Sequence, residues 1–204
     1  LTRFRRYDDA GQAFPIYITV VGGLLFLALA YFAVGQAAVN RNGAQTAADA
    51  AALAAAQDTR DALAKRWVQD LLDPEKWQAI FNGDVDGIGL TCGRAHELAA
   101  RNDARVIGCD LAGLLGYRVE VETNKTVGDS IVPDTENRRS DATATAVIEP
   151  RCTFPLPSEA AEEAEEDVLP LLSCKGGEEW ELDPKAPDEL LPQPEDLFDV
   201  HLAD

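Results

Sequence analysis

The apolar positions of this chain follow four successive patterns, and each predicts a different kind of element. The first is a run of 23 residues without a charge, "AFPIYITVVGGLLFLALAYFAVG", from Ala13 to Gly35. Roughly 20 such residues span a bilayer as a helix. Pro15 falls in the first turn, where its missing N–H costs nothing. Tyr17 and the pair Tyr31/Phe32 stand towards the two ends, as interfacial aromatics do. The second pattern is the Ala-rich stretch Ala44–Gln57, "AQTAADAAALAAAQ", in which Leu53 is the single large apolar side chain. Ala has the highest helix propensity, so this segment predicts a helix with almost no bulk to bury.

In the third pattern Leu63, Trp67 and Leu71 recur at i, i+4 and i+8, with Val68 and Leu72 alongside. That is the apolar stripe of a helix lying on a core. "NRNG" (40–43) does not forbid continuity, and Asp73-Pro74 ends the helix because the residue before proline avoids helical angles. One helix continuous from Ile16 to Asp73 is therefore predicted. The folded domain is expected on its last turns, and the Ala-rich half between that domain and the membrane. A short helical turn follows, with Trp77, Ile80 and Phe81 on one side.

The fourth pattern has period two. "YRVEVETNKTV" (117–127) sets Val119, Val121 and Thr123 against Glu120 and Glu122. "DATATAVIEPRC" (141–152) sets Ala142, Ala144 and Ala146 against Thr143, Thr145 and Val147. These alternations, with "ARVIGCDL" (104–111), predict three strands. "TCGRAHELAARN" (91–102) reads as a short helix capped by Thr91 and ended by Asn102. The fold class is α+β. The divisions are a charged stub over 1–12, a transmembrane helix over 13–39, an Ala-rich helix over 40–73 and a small antiparallel sheet domain over 74–154. An acidic, flexible Pro-rich tail takes residues 155–204.

Charge changes this picture in two places. The net charge is −18, but residues 155–204 alone hold 16 Asp/Glu against 2 Lys and 7 of the 11 prolines. Such density of charge and proline predicts a loosely tethered segment. It also disfavours nucleic acid as a partner, since phosphate neutralisation needs Lys and Arg. At the other end Arg3, Arg5 and Arg6 precede the apolar run and Arg41 is the first charge after it. The positive-inside rule then keeps the N-terminus in the cytoplasm and exports everything beyond about residue 38. A cleaved signal peptide, with "AVGQA" (33–37) as the peptidase site, would have a shorter apolar core of roughly 7–15 residues. Met is absent, position 1 included; Leu1 is either a non-AUG start read literally or the head of a fragment. Arg outnumbers Lys 13 to 5, which points to a high-GC bacterial genome.

All four cysteines, Cys92, Cys109, Cys152 and Cys174, follow the apolar run. In an exported domain an even count reads as disulfides. Three pairings are open by counting, and proximity favours Cys92–Cys109 and Cys152–Cys174. Cys92, His96 and Cys109 imitate part of a zinc site but lack a fourth ligand. "NGDVDG" (82–87) matches the start of a calcium loop through Asn82, Asp84, Asp86 and Gly87, yet the twelfth position is Gly93 where a bidentate Glu belongs. It reads better as a turn. Glu120 and Glu122 read as charges that keep an edge strand soluble. "NKT" (124–126) is a glycosylation sequon only in a eukaryotic secretory route. No nucleophile elbow, phosphate loop or zincin helix occurs. No enzyme activity, cofactor, metal or small-molecule substrate is expected.

The order "DDAGQAFPIYITVVGGLLFLALAYF" then "AQTAADAAALAAA" resembles the TadE/TadG-like family of the tight-adherence (Flp/Tad) pilus system, in its actinobacterial form. The resemblance covers roughly residues 8–57. It implies a pseudopilin or minor pilin-like assembly protein, whose partners are the lipid bilayer and other pilin-like subunits or pilus components. It also implies a processing junction at Gly11-Gln12. The family's site carries Glu at the fifth position after the Gly, where this chain has Ile16. Gly22-Gly23 and Ala33-x-x-x-Ala37 would let a second helix approach closely, and Ala51 and Ala55, one turn apart, would extend that smooth surface. The alternative is a membrane-tethered exported binding module whose acidic tail recruits a basic partner or a cation.

Overall fold

A computed structural model describes residues 13–89, 91–126, 137–155, 169–183 and 190–203. Its axis is the helix α1, Ala13–Gln69, 57 residues without a break. At 1.5 Å per residue this is a rod of about 85 Å. It ends in a turn at Asp70–Leu72, just before the expected stop at Asp73. Two short helices follow, α2 (Pro74–Phe81) and α3 (Gly93–Arg101). Pro74 opens α2 where proline is tolerated. Asn102 closes α3, its side-chain amide donating to the Leu98 carbonyl at 2.8 Å. Thr91 does not cap α3: Cys92 occupies that position, while the Thr91 N–H donates to the Tyr117 hydroxyl at 3.4 Å.

Three long strands come next, β1 (Ala104–Leu111), β2 (Gly116–Thr123) and β3 (Asp141–Pro150). The β1–β2 hairpin needs glycine at Gly116, where a Cβ would stand 2.5 Å from the Ala112 carbonyl oxygen. The alternation read from the sequence holds. Val119, Val121 and Thr123 of β2 are buried, as are Ala144, Ala146 and Ile148 of β3. Val119 lies opposite Ala144, and Tyr117 opposite Ala146.

The C-terminal region departs from expectation. Residues 152–153, 172–174 and 178–180 form a small antiparallel sheet, β4-β5-β6. Residues 194–197 make the helical turn α4, and Phe198–Leu202 is strand β7. This last strand pairs antiparallel with β3 and completes the main sheet, order β1-β2-β3-β7. The described parts of 155–204 are therefore built into the fold and do not form a loose tail. The physical reason is that Leu172, Leu182, Leu191, Leu197 and Phe198 bury their side chains, while Glu178, Glu179, Glu181, Asp183 and Glu195 face solvent. Phe198 joins an aromatic chain that runs from Trp67 to Trp77 (5.3 Å), on to Phe154 (5.3 Å) and Phe81 (5.5 Å), and ends at Phe198 (5.1 Å). β2 is likewise no edge strand, since β1 and β3 flank it. Glu122 on its open face is held by Arg105 and Arg139.

The Ala-rich stretch also departs from expectation. Ala44, Ala47, Ala48, Ala51, Ala52, Ala55 and Ala56 are all fully buried. α1 lies across the main sheet, touching β3, β2 and β7, and packs against α3 on another side. The partner faces are themselves small: Ala144 and Ala146 on β3, Ala95 and Ala99 on α3. The spacing between packed elements is set by the side chains at the contact, so Ala on both sides draws them close. Ala51 and Ala55 are thus the core of this domain and no free surface for a neighbouring helix. Leu72, read as part of the apolar stripe, is 71% exposed because α1 has already ended.

Candidate functional site

Where Ala44 marks the start of burial, the preceding turns of α1 touch almost nothing. Phe14, Ile16, Tyr17, Leu24, Leu25, Phe26, Leu27, Phe32 and Val34 each expose more than half of their surface. Monomeric soluble proteins rarely expose so large a contiguous apolar patch. The helix is long and apolar enough to cross a membrane. Thr19, the one aliphatic hydroxyl of the apolar run, donates to the Pro15 carbonyl at 2.8 Å, so its donor is satisfied within the helix. Gly22 and Gly23 have open space where a Cβ would be. Ala33 and Ala37 lie further along the same unburied half. The Gly11-Gln12 junction lies outside the described residues.

The direction of the sheet along this rod follows from two contacts. At the start of β2, the Tyr117 hydroxyl is hydrogen-bonded to that of Thr59 at 2.6 Å. Beyond its end, Lys125 and Thr126 line one groove with Tyr31, Phe32, Gly35, Gln36, Val39 and Asn40. β2 therefore runs back along α1 towards the apolar half. Nineteen helical residues from Asn40 to Thr59 cover about 28 Å, against roughly 20 Å for the six strand residues from Tyr117 to Thr123 and the two further residues to Lys125. One end of the domain reaches the level of the apolar run, and the aromatic chain sits at the other.

The far end is tied by charge and by sulfur. Asp70, in the turn that ends α1, meets Arg66 at 2.6 Å and Lys76 at 3.1 Å, and Lys76 also meets Asp73 at 2.7 Å. The hydrogen bond from Lys76 holds the Asp70 carboxyl below its usual range against the opposing cost of desolvation, aided by the charges of Arg66 and Lys76. The Lys76 ammonium is raised, first by Asp73 and then by Asp70. Disulfides join Cys92 to Cys109 and Cys152 to Cys174, the two links that proximity favours. The second joins residues directly opposite in β4 and β5, so it fastens the C-terminal region to the end of β3. With Cys92 and Cys109 bonded to each other, the partial zinc pattern with His96 does not assemble. Asn82 ends α2 and Gly83 and Gly87 take positive φ, so "NGDVDG" forms a turn. Among the described residues no group of three or more His, Cys, Asp or Glu is arranged to hold a metal ion.

Sequence reasoning missed two features of this arrangement. One is the Thr59–Tyr117 link; a lone Thr ending an Ala-rich face was the available signal. The other is β7, whose "FDVHL" alternates but is short and set among acid and proline. No curated protein and no solved structure matches the chain. Residues 11–58, the exposed apolar turns together with the buried Ala face up to the Thr59 contact, match the model of the putative Flp pilus-assembly TadE/G-like family, and with the apolar helix this fits a membrane-anchored, pilus-related protein.

Proposed function

We propose that this chain is a pseudopilin or minor pilin-like structural protein of a Tad-type pilus or related secretion apparatus, of the actinobacterial form. The observation that carries the reading is the division of α1. One unbroken helix supplies a bare apolar half, fit for lipid or for neighbouring helices, and an Ala half that is the spine of the folded domain. A subunit that leaves the bilayer for a filament needs a domain rigidly fixed to its anchor, and a shared helix provides that.

The domain lies outside the cytoplasmic membrane, with residues 1–12 inside. Arg3, Arg5 and Arg6 before the span support this orientation, and two disulfides fit an oxidising compartment. Contacts between subunits run through the unburied half, at Gly22, Gly23, Ala33 and Ala37, where small side chains admit close helix approach. Gly11-Gln12 is the junction for processing. The reading as a tethered module with a free recruiting tail loses its main support, because Phe198–Leu202 pairs with β3 as a strand of the main sheet.

Protease added to intact protoplasts tests the orientation: it should digest the domain after disulfide reduction, and complete protection would overturn it. Deleting the gene and scoring pili, with rescue by the wild-type chain, tests the role. Normal pili and normal secretion in the deletion strain would refute it.

A further inference from the structure

The groove where the domain reaches back along α1 is apolar on one side and cationic on the other. Tyr31, Phe32 and Val39 line it with 83%, 63% and 73% of their surfaces exposed, and the groove encloses about 570 Å³. Across from them stand Lys125 and Thr126, just past the end of β2. Asn40, also in the lining, has a side-chain amide nitrogen that is shielded from solvent and has no partner among the described residues. Lys125 spends one of its N–H donors on Asp103 at 2.7 Å. An ammonium has three donors, so two remain unused among the described residues.

The depth of this groove follows from length. The uncharged run of 23 residues begins at Ala13 and covers about 34 Å as helix, against a hydrocarbon core of about 30 Å. Tyr31 and Phe32 then fall at the outer boundary of the hydrocarbon, and Gln36, Val39 and Asn40 at headgroup level. The apolar wall of the groove is continuous with the bare surface of the helix below it, so whatever covers that surface extends into the groove.

We infer that this groove seats a phospholipid of the outer leaflet. Its glycerol and upper acyl carbons lie on Tyr31, Phe32 and Val39, and its phosphate takes donors from Lys125 and Asn40. The domain would then rest on the membrane surface at its β2 end, with the aromatic end pointing away. A Lys stem along apolar surface with its ammonium at the phosphates is the arrangement long cationic side chains adopt at membrane boundaries. This inference rests on the reading of residues 13–39 as the anchor.

The test places single nitroxide or fluorescent labels on the full chain in vesicles of phosphatidylcholine with a minority of phosphatidylglycerol. Label sites are Thr126→Cys, Phe26→Cys in the span and Glu178→Cys on the far sheet. Headgroup-attached and acyl-attached quenchers are compared. The expected result is strong headgroup quenching at Thr126, acyl quenching at Phe26 and neither at Glu178. Lys125→Glu should move the Thr126 signal towards that of Glu178. Acyl quenching at Phe26 with a Thr126 label in free water would overturn the inference and leave the anchor standing. A Thr126 label shielded from both water and quenchers would also overturn it, by showing protein in the groove. Loss of quenching at Phe26 would overturn the anchor reading and the inference with it.

Discussion

The two halves of α1 are built to the same backbone rule and face opposite surroundings. From Phe14 to Val39 the helix is bulky and bare; from Ala44 to Ala56 it is slight, and one face of alanines is fully buried. Bulk is on the outside where no protein contacts it and absent along the Ala stretch, returning inside the domain only at Leu63 and Trp67 near the helix end. In water this would be an inverted design, because large apolar side chains are the ones that gain from burial. It is consistent once lipid covers the first half. The second half then shows that a core can be made by closeness as well as by size: when a helix is enclosed by a sheet and by α3, Ala permits contacts that Leu would prevent.

This contrast is sharpened first by removing what encloses the second half. Truncation after Cys174 deletes β7 together with the buried Leu182, Leu191, Leu197 and Phe198. The domain should then lose cooperative unfolding, seen in the full anchored chain by near-UV circular dichroism. A truncated protein with an unchanged melting midpoint would make the C-terminal region dispensable. The milder Phe198→Ala opens a cavity at the end of the aromatic chain and should cost about 3–5 kcal/mol in chemical denaturation.

Smaller effects follow at the contact that sets the register of helix and sheet. Tyr117→Phe removes the hydroxyl bonded to Thr59 and should cost about 1 kcal/mol, with a little more from the Thr91 N–H left without its acceptor. The smallest effect belongs to the exposed ion cluster at the end of α1. Because the folded-state carboxyl of Asp70 is lowered, its contribution is present above the ordinary carboxylate range and lost as pH falls through the lowered value. Asp70→Asn should therefore melt slightly earlier than wild type at neutral pH, converge with it in strong acid, and lose the difference at high salt. A gap that widens on acidification would reverse the sign of the argument.

How much of this was legible in the sequence divides along the same line. The long apolar helix, its continuity into the domain, the strand Ala104–Leu111 and the faces of β2 and β3 were legible because periodicity and length carry them. Both disulfides were legible from proximity. The role of the Ala stretch was not, since Ala is compatible with a spacer, a helix interface or a tight core, and only the position of the sheet decides. Nor was β7, because five alternating residues among 16 acidic ones look like solvated chain. The groove at Lys125 needs the end of β2 and a turn of α1 brought together from far apart in sequence, and no local pattern reports that.

The central claim is that Ala44–Ala56 is the core of the domain while the turns before it are not. Matched substitutions in the two halves test it most directly: Ala51→Leu and Ala37→Leu, each in the full chain in the same detergent, unfolded by denaturant. Ala51 is fully buried, so the added bulk should cost about 1–3 kcal/mol or more through overpacking. Ala37 lies on the bare half, and its variant should unfold with the wild-type midpoint. Equal midpoints for the two variants, or an undisturbed Ala51→Leu, would contradict the account and return the Ala stretch to the surface.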